Sequence, residues 1–323
     1  MSVRHMRRAS AALVAVAASV TLVACGGGAQ QQDGPGGEQV SGPVLIDGSS
    51  TVEPLSSAAA ELYQGENPEV NVTVGTSGTG GGFQKFCNGE TDISNASRPI
   101  SDTERQQCEA NGIAFQELQV ANDALTVVVN PANTWANCLS VEQLRAMWAP
   151  DSQVKNWNQV DPSFPAEPLQ LFGAGADSGT FDYFTDEIVG EEGASRTDYS
   201  PSENDNVTVQ GVTGSPGALG YFGFSYFEEN QQQLKALQVD GGNGCVAPSA
   251  QTVQDASYTP LGRPLFIYAS DAGLAKPQVV SFLEFYLQRN DEIVQAAQFV
   301  PMTDQQKQDS TAKLDQLRQQ AGG

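Results

Sequence analysis

Residues 169–184 read LQLFGAGADSGTFDYF, in which a short apolar strand runs into a turn of small and hydroxyl residues and then into a helix. The same order occurs in VLIDGSSTVEPL at 44–55 and in VNVTVGTSGTGGGF at 70–83. Elsewhere, apolar runs such as 124–129 alternate with helical patterns, which is typical of α/β proteins. The sequence therefore predicts an α/β fold that contains three strand–turn–helix units.

Each of these turns is suited to an anion. Backbone N–H groups at a helix N-terminus carry partial positive charge, and small residues let an anion approach them closely. One such turn is weak support, because Ser and Thr are ordinary N-caps. Three of them together predict a site for a polyatomic anion. We expect Asp47, Asp92 and Asp123 to be turn or cap residues.

The composition restricts the possible partners. The 323 residues include 16 Lys and Arg against 38 Asp and Glu, which gives a formal net charge of −22. This balance argues against a nucleic-acid partner, because no basic patch could offset the phosphate charge. The 14 Phe, 8 Tyr and 3 Trp residues argue against a wholly disordered chain.

The N-terminal segment has the pattern of an export signal. Three arginines lie among the first eight residues, and an apolar run at 11–23 follows them. These are the n-region and h-region of a signal peptide, and the run is short for a transmembrane helix. The only histidine of the chain, His5, lies in this segment. Its removal would exclude Ser-His-Asp and Cys-His catalysis and histidine-ligated zinc, so we predict neither a metal nor a cofactor.

The apolar run ends in Leu-Val-Ala-Cys at 22–25, which resembles a bacterial lipobox. We therefore expect residues 1–24 to be removed, Cys25 to be lipidated, and residues 25–42 to form a flexible tether. The protein would then be anchored to the outer face of the cell membrane without a transmembrane helix. The alternative is an ordinary signal peptide with a cysteine beside it.

Four cysteines remain after Cys25, namely Cys87, Cys108, Cys138 and Cys245. An even number in an exported protein predicts two disulfides, for which three pairings are possible. A zinc site is the alternative, although the chain has no C-x-x-C spacing.

Six motifs together resemble the phosphate-binding proteins of high-affinity phosphate ABC importers. They are DGSSTVEPLS at 47–56, GTSGTGGGF at 75–83, DISNASRPI at 92–100, GADSGTFDYF at 175–184, GALGYF at 217–222 and LGRPLFIY at 261–268. The resemblance covers most of residues 44–300. It implies a two-lobed periplasmic binding protein fold of type II, with the ligand in the cleft between lobes that close about a hinge.

The resemblance also implies the domain boundaries. Lobe one would comprise residues 43–121 with 262–323, and lobe two would comprise residues 122–261. The chain would cross between the lobes near Ala121 and Leu261. In this arrangement we prefer the disulfide pairing Cys87–Cys108 and Cys138–Cys245, because each bridge then lies within one lobe.

The family's ligand positions map onto the three turns and onto the SRP motif. The predicted phosphate-binding residues are Ser50, Thr51, Ser77, Thr79, Ser97, Arg98, Asp177, Ser178, Gly179 and Thr180. In the second turn either Ser77 or Thr79 fits, because the extra glycines leave both open. The S-G-T turn at 178–180 matches the family directly.

Two positions depart from the best-known members. Those members have an aspartate where this chain has Ser97 and an arginine where it has Ala174; here the arginine and the carboxylate occur as Arg98 and Asp177. We expect Arg98 to be the cation of the site and Asp177 to accept the proton of the phosphate. The alternatives are a surface ion pair for Arg98 and a helix N-cap for Asp177.

The resemblance implies a function without catalysis. The protein would be a monomeric solute-binding lipoprotein that captures inorganic phosphate and delivers it to the permease and ATPase subunits of an ABC importer. Two alternatives remain, an outer-surface phosphate sensor and a histidine-free phosphatase-like enzyme.

Overall fold

The computed structural model describes residues 40–176, 178–202 and 204–321. The predicted signal peptide, the predicted lipidation site Cys25, most of the predicted tether and Asp177 lie outside these residues. No helix within them is long and apolar enough to cross a membrane.

Strands and helices alternate along the described chain, which confirms the predicted α/β class. The strands are β1 Gly42–Gly48, β2 Val70–Val74, β3 Ile93–Ala96, β4 Phe115–Val129, β5 Cys138–Ser140, β6 Gln170–Ala174, β7 Ser200–Ser202, β8 Ala218–Gly223, β9 Lys235–Ala236, β10 Gln238–Asp240, β11 Cys245–Val246 and β12 Gly262–Ser270. The α-helices are α1 Glu53–Glu66, α2 Gly78–Cys87, α3 Asp102–Ala110, α4 Val141–Trp148, α5 Gly179–Phe184, α6 Asp205–Thr213, α7 Phe224–Asn230, α8 Ala250–Gln254, α9 Asp271–Leu274, α10 Pro277–Gln288, α11 Asn290–Ala296 and α12 Asp304–Ala321. A 3₁₀ helix at Trp157–Gln159 and a π-helix at Thr185–Val189 complete the set.

One mixed sheet runs through the described chain in the order β2-β1-β3-β12-β4-β8-β6-β7, and β9 also pairs with β4. Parallel strands lie at both ends of this order, where β2, β1 and β3 form one group and β8, β6 and β7 form the other. Between them, β12 and β4 are antiparallel to each other. A small sheet of β11, β10 and β5 lies apart.

Strand β4 connects the two parallel groups, because it pairs with β12 along its first part and with β8 along its last part. The apolar run at 124–129 predicted only the second part of this strand. The first part, FQELQVAND at 115–123, was missed because its apolar residues are interspersed with Gln, Glu, Asn and Asp.

The hydrophobic core divides along β4 and β12. One large cluster draws its buried residues from 44–121 and 265–317, and the other draws them from 124–261 together with Val300. This division falls in the same parts of the two strands where the sequence predicts that the chain crosses between lobes. The exact lobe boundaries remain a prediction.

Two disulfides each join two separate elements of the fold. Cys87 is bonded to Cys108, which links α2 to α3, and Cys138 is bonded to Cys245, which links β5 to β11. The structure therefore has the pairing that the sequence analysis preferred.

Candidate functional site

The first turn follows β1 and precedes α1. Gly48 has a φ of +140°, and a Cβ there would lie 2.2 Å from the carbonyl oxygen of Asn95 in β3. Only glycine allows this approach and this backbone conformation. The Ser49 N–H then donates to the same carbonyl at 3.0 Å, so the turn that carries Ser50 and Thr51 is fixed against β3.

The second turn contributes two hydroxyls with different partners. Ser77 Oγ donates to Asp47 Oδ1 at 2.5 Å, and Lys85 Nζ lies 2.6 Å from Asp47 Oδ2. Burial acts to raise the pKa of Asp47, but the hydrogen bonds from Lys85 and Ser77 outweigh it and lower the pKa overall. Thr79 Oγ1 instead lies 3.1 Å from Ser97 Oγ and accepts from the Ser97 N–H at 3.3 Å. The Ser77 hydroxyl thus donates its hydrogen bond to Asp47, whereas the hydroxyls of Thr79 and Ser97 contact each other.

The third turn contacts the first. Ser178 is the N-cap of α5, and its Oγ accepts from the Thr180 N–H at 3.2 Å. A Cβ on Gly179 would lie 3.1 Å from Thr51 Oγ1 and 3.2 Å from both Ser50 Oγ and the Thr51 nitrogen. The backbone of Gly179 therefore approaches the first turn so closely that a side chain there would displace it. Two turns that are more than 120 residues apart in sequence meet at this point.

Two adjacent cavities share Ser50 and Thr51 in their walls. The first cavity, of about 260 Å³, is also lined by Ser178, Gly179 and Thr180. The second cavity, of about 350 Å³, is also lined by Ser77, Thr79, Ser97 and Arg98. The structure therefore places nine of the ten predicted residues around these two cavities, and the tenth, Asp177, lies outside the described residues.

Arg98 forms an ion pair with Glu104, which corresponds to the alternative that the sequence offered for this arginine. Its two terminal nitrogens each lie 2.9 Å from one carboxylate oxygen of Glu104, and one of them also donates to the Pro99 carbonyl at 3.1 Å. The hydrogen bond to Glu104 raises the pKa of Arg98. The Arg98 side chain is 45% exposed. Its charge is thus balanced by Glu104 at a solvent-accessible edge of the second cavity.

A second arginine, Arg263, lines the same cavity, and the sequence analysis did not predict it as a site residue. It lies in β12 directly opposite Asp123 of β4, with Nε 3.5 Å from Asp123 Oδ2. Its Nη2 donates to Thr51 Oγ1 at 3.1 Å, and its guanidinium carbon lies 3.2 Å from the centre of the Tyr183 ring. The side chain is only 15% exposed.

Asp123 is therefore not a turn or cap residue, and that prediction is wrong. It lies inside β4, where register brings it opposite Arg263. Burial raises the pKa of Asp123, and Arg263 offsets part of this effect. The sequence feature that could have indicated this ion pair is Arg263, because it is the one charged residue in the LGRPLFIY motif.

Carboxylates are also frequent around the two cavities. The second cavity is lined by Asp182, Asp186, Glu187 and Glu192 in addition to the two arginines. Burial, the largest influence, raises the pKa of Glu187, with an opposing effect of Arg263. The first cavity has Asp123 and Asp205 in its wall and neither Lys nor Arg among its described lining residues. The positive charge near Ser50 and Thr51, which form the wall shared by the two cavities, therefore comes from the arginines of the second cavity.

Comparisons with known proteins bear on this site. A family model described as a PBP superfamily domain matches residues 33–290. Protein SphX of Synechococcus elongatus is 50% identical over 262 residues, which cover 80% of this chain and 77% of that protein. The phosphate-binding protein PstS of Staphylococcus saprophyticus is 36% identical over 305 residues, which cover 94% of this chain and 92% of that protein.

Solved structures agree with the two-lobed binding-protein fold. A possible phosphate binding protein from Planctomyces limnophilus has a TM-score of 0.83 and 47% identity, and the match covers 86% of this chain and 99% of that one. An ABC-type phosphate transport receptor from Vibrio cholerae has a TM-score of 0.63 and 22% identity, covering 80% of this chain and 100% of that one. The second likeness concerns the fold alone.

Proposed function

Because this chain belongs to the PBP superfamily and, within it, to the phosphate-binding proteins of phosphate ABC transporters, we propose that it binds inorganic phosphate between two lobes and delivers it to an ABC importer. Membership confirms the resemblance that the six motifs indicated. The observation that carries the proposal for this chain is the meeting of two small-residue turns at Gly179, Ser50 and Thr51.

The hydroxyl and backbone donors that we propose for the ligand are those predicted from the sequence. A tetrahedral anion needs donors from several directions, and hydroxyl and backbone N–H groups supply them without a formal charge. Of the two hydroxyls in the second turn, Thr79 is the better candidate, since Ser77 already donates to Asp47. Asp177 keeps its proposed role as acceptor for the proton that phosphate carries and that sulfate lacks at neutral pH.

We place the hinge where β4 and β12 run side by side, with lobe one at 43–121 and 262–323 and lobe two at 122–261. The division of the hydrophobic core in these strands supports that placement. Ligand contacts from both lobes stabilise only the closed arrangement, so phosphate would shift an equilibrium between open and closed forms.

The location of the protein is also a proposal. The lipobox at 22–25 supports a lipid anchor on Cys25, with the mature protein on the outer face of the membrane as a monomer that performs no catalysis. Mass spectrometry of the mature N-terminus tests the anchor, because lipidation predicts a diacylated cysteine there.

Calorimetric titration of the purified mature protein, freed of phosphate, tests the function. We expect saturable binding of one phosphate per chain and much weaker binding of sulfate. Absence of phosphate binding, or equal affinity for sulfate, would remove the proposal. Turnover of a chromogenic phosphomonoester by the same sample would instead favour the phosphatase-like alternative.

A further inference from the structure

Resting on the phosphate-binding function, we infer that Arg263, and not Arg98, supplies the buried positive charge of the anion site. Arg263 belongs to none of the three small-residue turns, and the motifs did not single it out as a ligand. Its side chain donates a hydrogen bond to Thr51, which lies in the wall shared by the two cavities.

Three contacts hold the Arg263 guanidinium in one orientation. The Tyr183 ring of α5 lies against its face at 3.2 Å, the Asp123 carboxylate of β4 lies 3.5 Å from Nε, and Thr51 of the first turn accepts from Nη2. A planar guanidinium stacked on an aromatic ring loses little further freedom when it binds an anion. These contacts come from both proposed lobes, so they position the charge where an anion between the lobes would lie.

The donors of Arg263 are largely unused. Among the described residues its Nη2 donates to Thr51, its Nε lies 3.5 Å from the Asp123 carboxylate with which it forms an ion pair, and no hydrogen bond from Nη1 is found. A guanidinium has five N–H donors in a fork that matches two oxygens of a phosphate. Arg263 can therefore keep its contact with Thr51 and still offer paired hydrogen bonds to an anion.

Arg98 has less of this capacity. Both of its terminal nitrogens donate to Glu104, and one also donates to a carbonyl, while three times as large a fraction of its side chain is exposed as in Arg263. An exposed, already neutralised ion pair contributes little to the attraction of a further anion. No other Lys or Arg is among the described residues that line the second cavity.

The contact between Arg263 and Thr51 also directs the threonine hydroxyl. Because Oγ1 accepts from Nη2, the hydroxyl hydrogen points elsewhere, and the bound cation makes the hydroxyl a stronger donor. Thr51 lines both cavities, so its hydroxyl is available as a donor to an anion in either of them. The cation thus acts on the anion both directly and through Thr51.

Calorimetry on matched variants tests the inference. Arg263→Gln keeps a side chain of similar length and removes the charge, and it should weaken phosphate binding by about 100-fold or more. Arg263→Lys should recover at least about tenfold of that loss, because it restores the charge without the planar fork. Arg98→Gln should cost no more than about tenfold. Arg318→Gln, which alters a surface ion pair in α12, controls for net charge and should bind as the wild type does.

Two further measurements separate the charge from a purely structural role. Thermal unfolding without phosphate shows whether each variant folds. If Arg263→Gln does not fold, the double variant Arg263→Gln with Asp123→Asn replaces it, because this variant leaves no buried carboxylate without a partner. The double variant should fold and still lose binding.

The outcomes distinguish this inference from the function on which it rests. If the wild type binds phosphate and the folded Arg263 variants bind within threefold of it, the inference is wrong and the phosphate-binding function stands. If Arg263→Lys binds no better than Arg263→Gln, the charge is not what Arg263 contributes. If Arg98→Gln costs more than Arg263→Gln, the two arginines have the opposite roles. A wild type that does not bind phosphate removes both proposals.

Discussion

Gly179→Ala should weaken phosphate binding while leaving the stability of the unliganded protein nearly unchanged. The added methyl would lie 3.1–3.2 Å from Thr51 Oγ1, Ser50 Oγ and the Thr51 nitrogen, so these atoms must move by a few tenths of an ångström. Overpacking of this kind costs about 1–3 kcal/mol. Because the contact joins the two proposed lobes, the cost applies to the closed form and not to the open one. The same free energy corresponds to a loss of affinity of about 5- to 150-fold.

Calorimetry gives the affinity, and thermal unfolding without phosphate gives the stability. Gly65→Ala is a matched control, since nothing lies within 4 Å of a Cβ at that position in α1. That variant should be stabilised by about 0.5–1 kcal/mol and should bind phosphate normally. The reasoning is refuted if Gly179→Ala binds as tightly as the wild type. It is also refuted if the variant loses as much unfolding free energy as binding free energy, because the contact would then belong to every form of the protein.

Three more changes have definite expected results. The lowered pKa values of Asp47 and Glu104 mean that their stabilising contribution is present above the ordinary carboxyl pKa and is lost as the pH falls through the lowered values. The melting temperature of the wild type should therefore decrease as the pH is lowered below about 4, and that of Asp47→Asn should decrease less steeply. Equal slopes for the two proteins would show that Asp47 is not paired in solution. Replacing Cys138 and Cys245 by serine should cost about 2–4 kcal/mol in denaturant unfolding, and a smaller loss than 1 kcal/mol would argue against the bridge. Asp177→Asn should weaken phosphate binding and improve sulfate binding, whereas unchanged affinity for both anions would reduce Asp177 to a structural residue.

Much of the anion site could be predicted from the sequence because its parts are local. A strand that ends in glycines and hydroxyl residues before a helix is visible within about fifteen residues, and nine of the predicted residues do line the two cavities. The sequence Ser-Val-Glu-Gln at 140–143 has the spacing of a capping box, which is equally local, and both hydrogen bonds of that box are present. Local chemistry of this kind does not depend on how distant segments pair.

The charged partners could not be predicted, because they depend on register and on packing. Asp123 and Arg263 are 140 positions apart, and only the antiparallel pairing of β4 with β12 brings them together. The pairing of Arg98 with Glu104 depends on the way α3 follows the SRP motif, where Glu104 also completes the capping box with Ser101. Nothing in the spacing of these residues distinguishes such partners from other nearby acids.

A crystal structure grown with phosphate tests the central claim most directly, because it locates the anion relative to the turns. We predict a tetrahedral anion within hydrogen-bond distance of Thr51 in the first turn and of the S-G-T turn at 178–180, with the Arg263 guanidinium beside it. An anion bound away from these two turns, or density for none at saturating phosphate, would contradict the account.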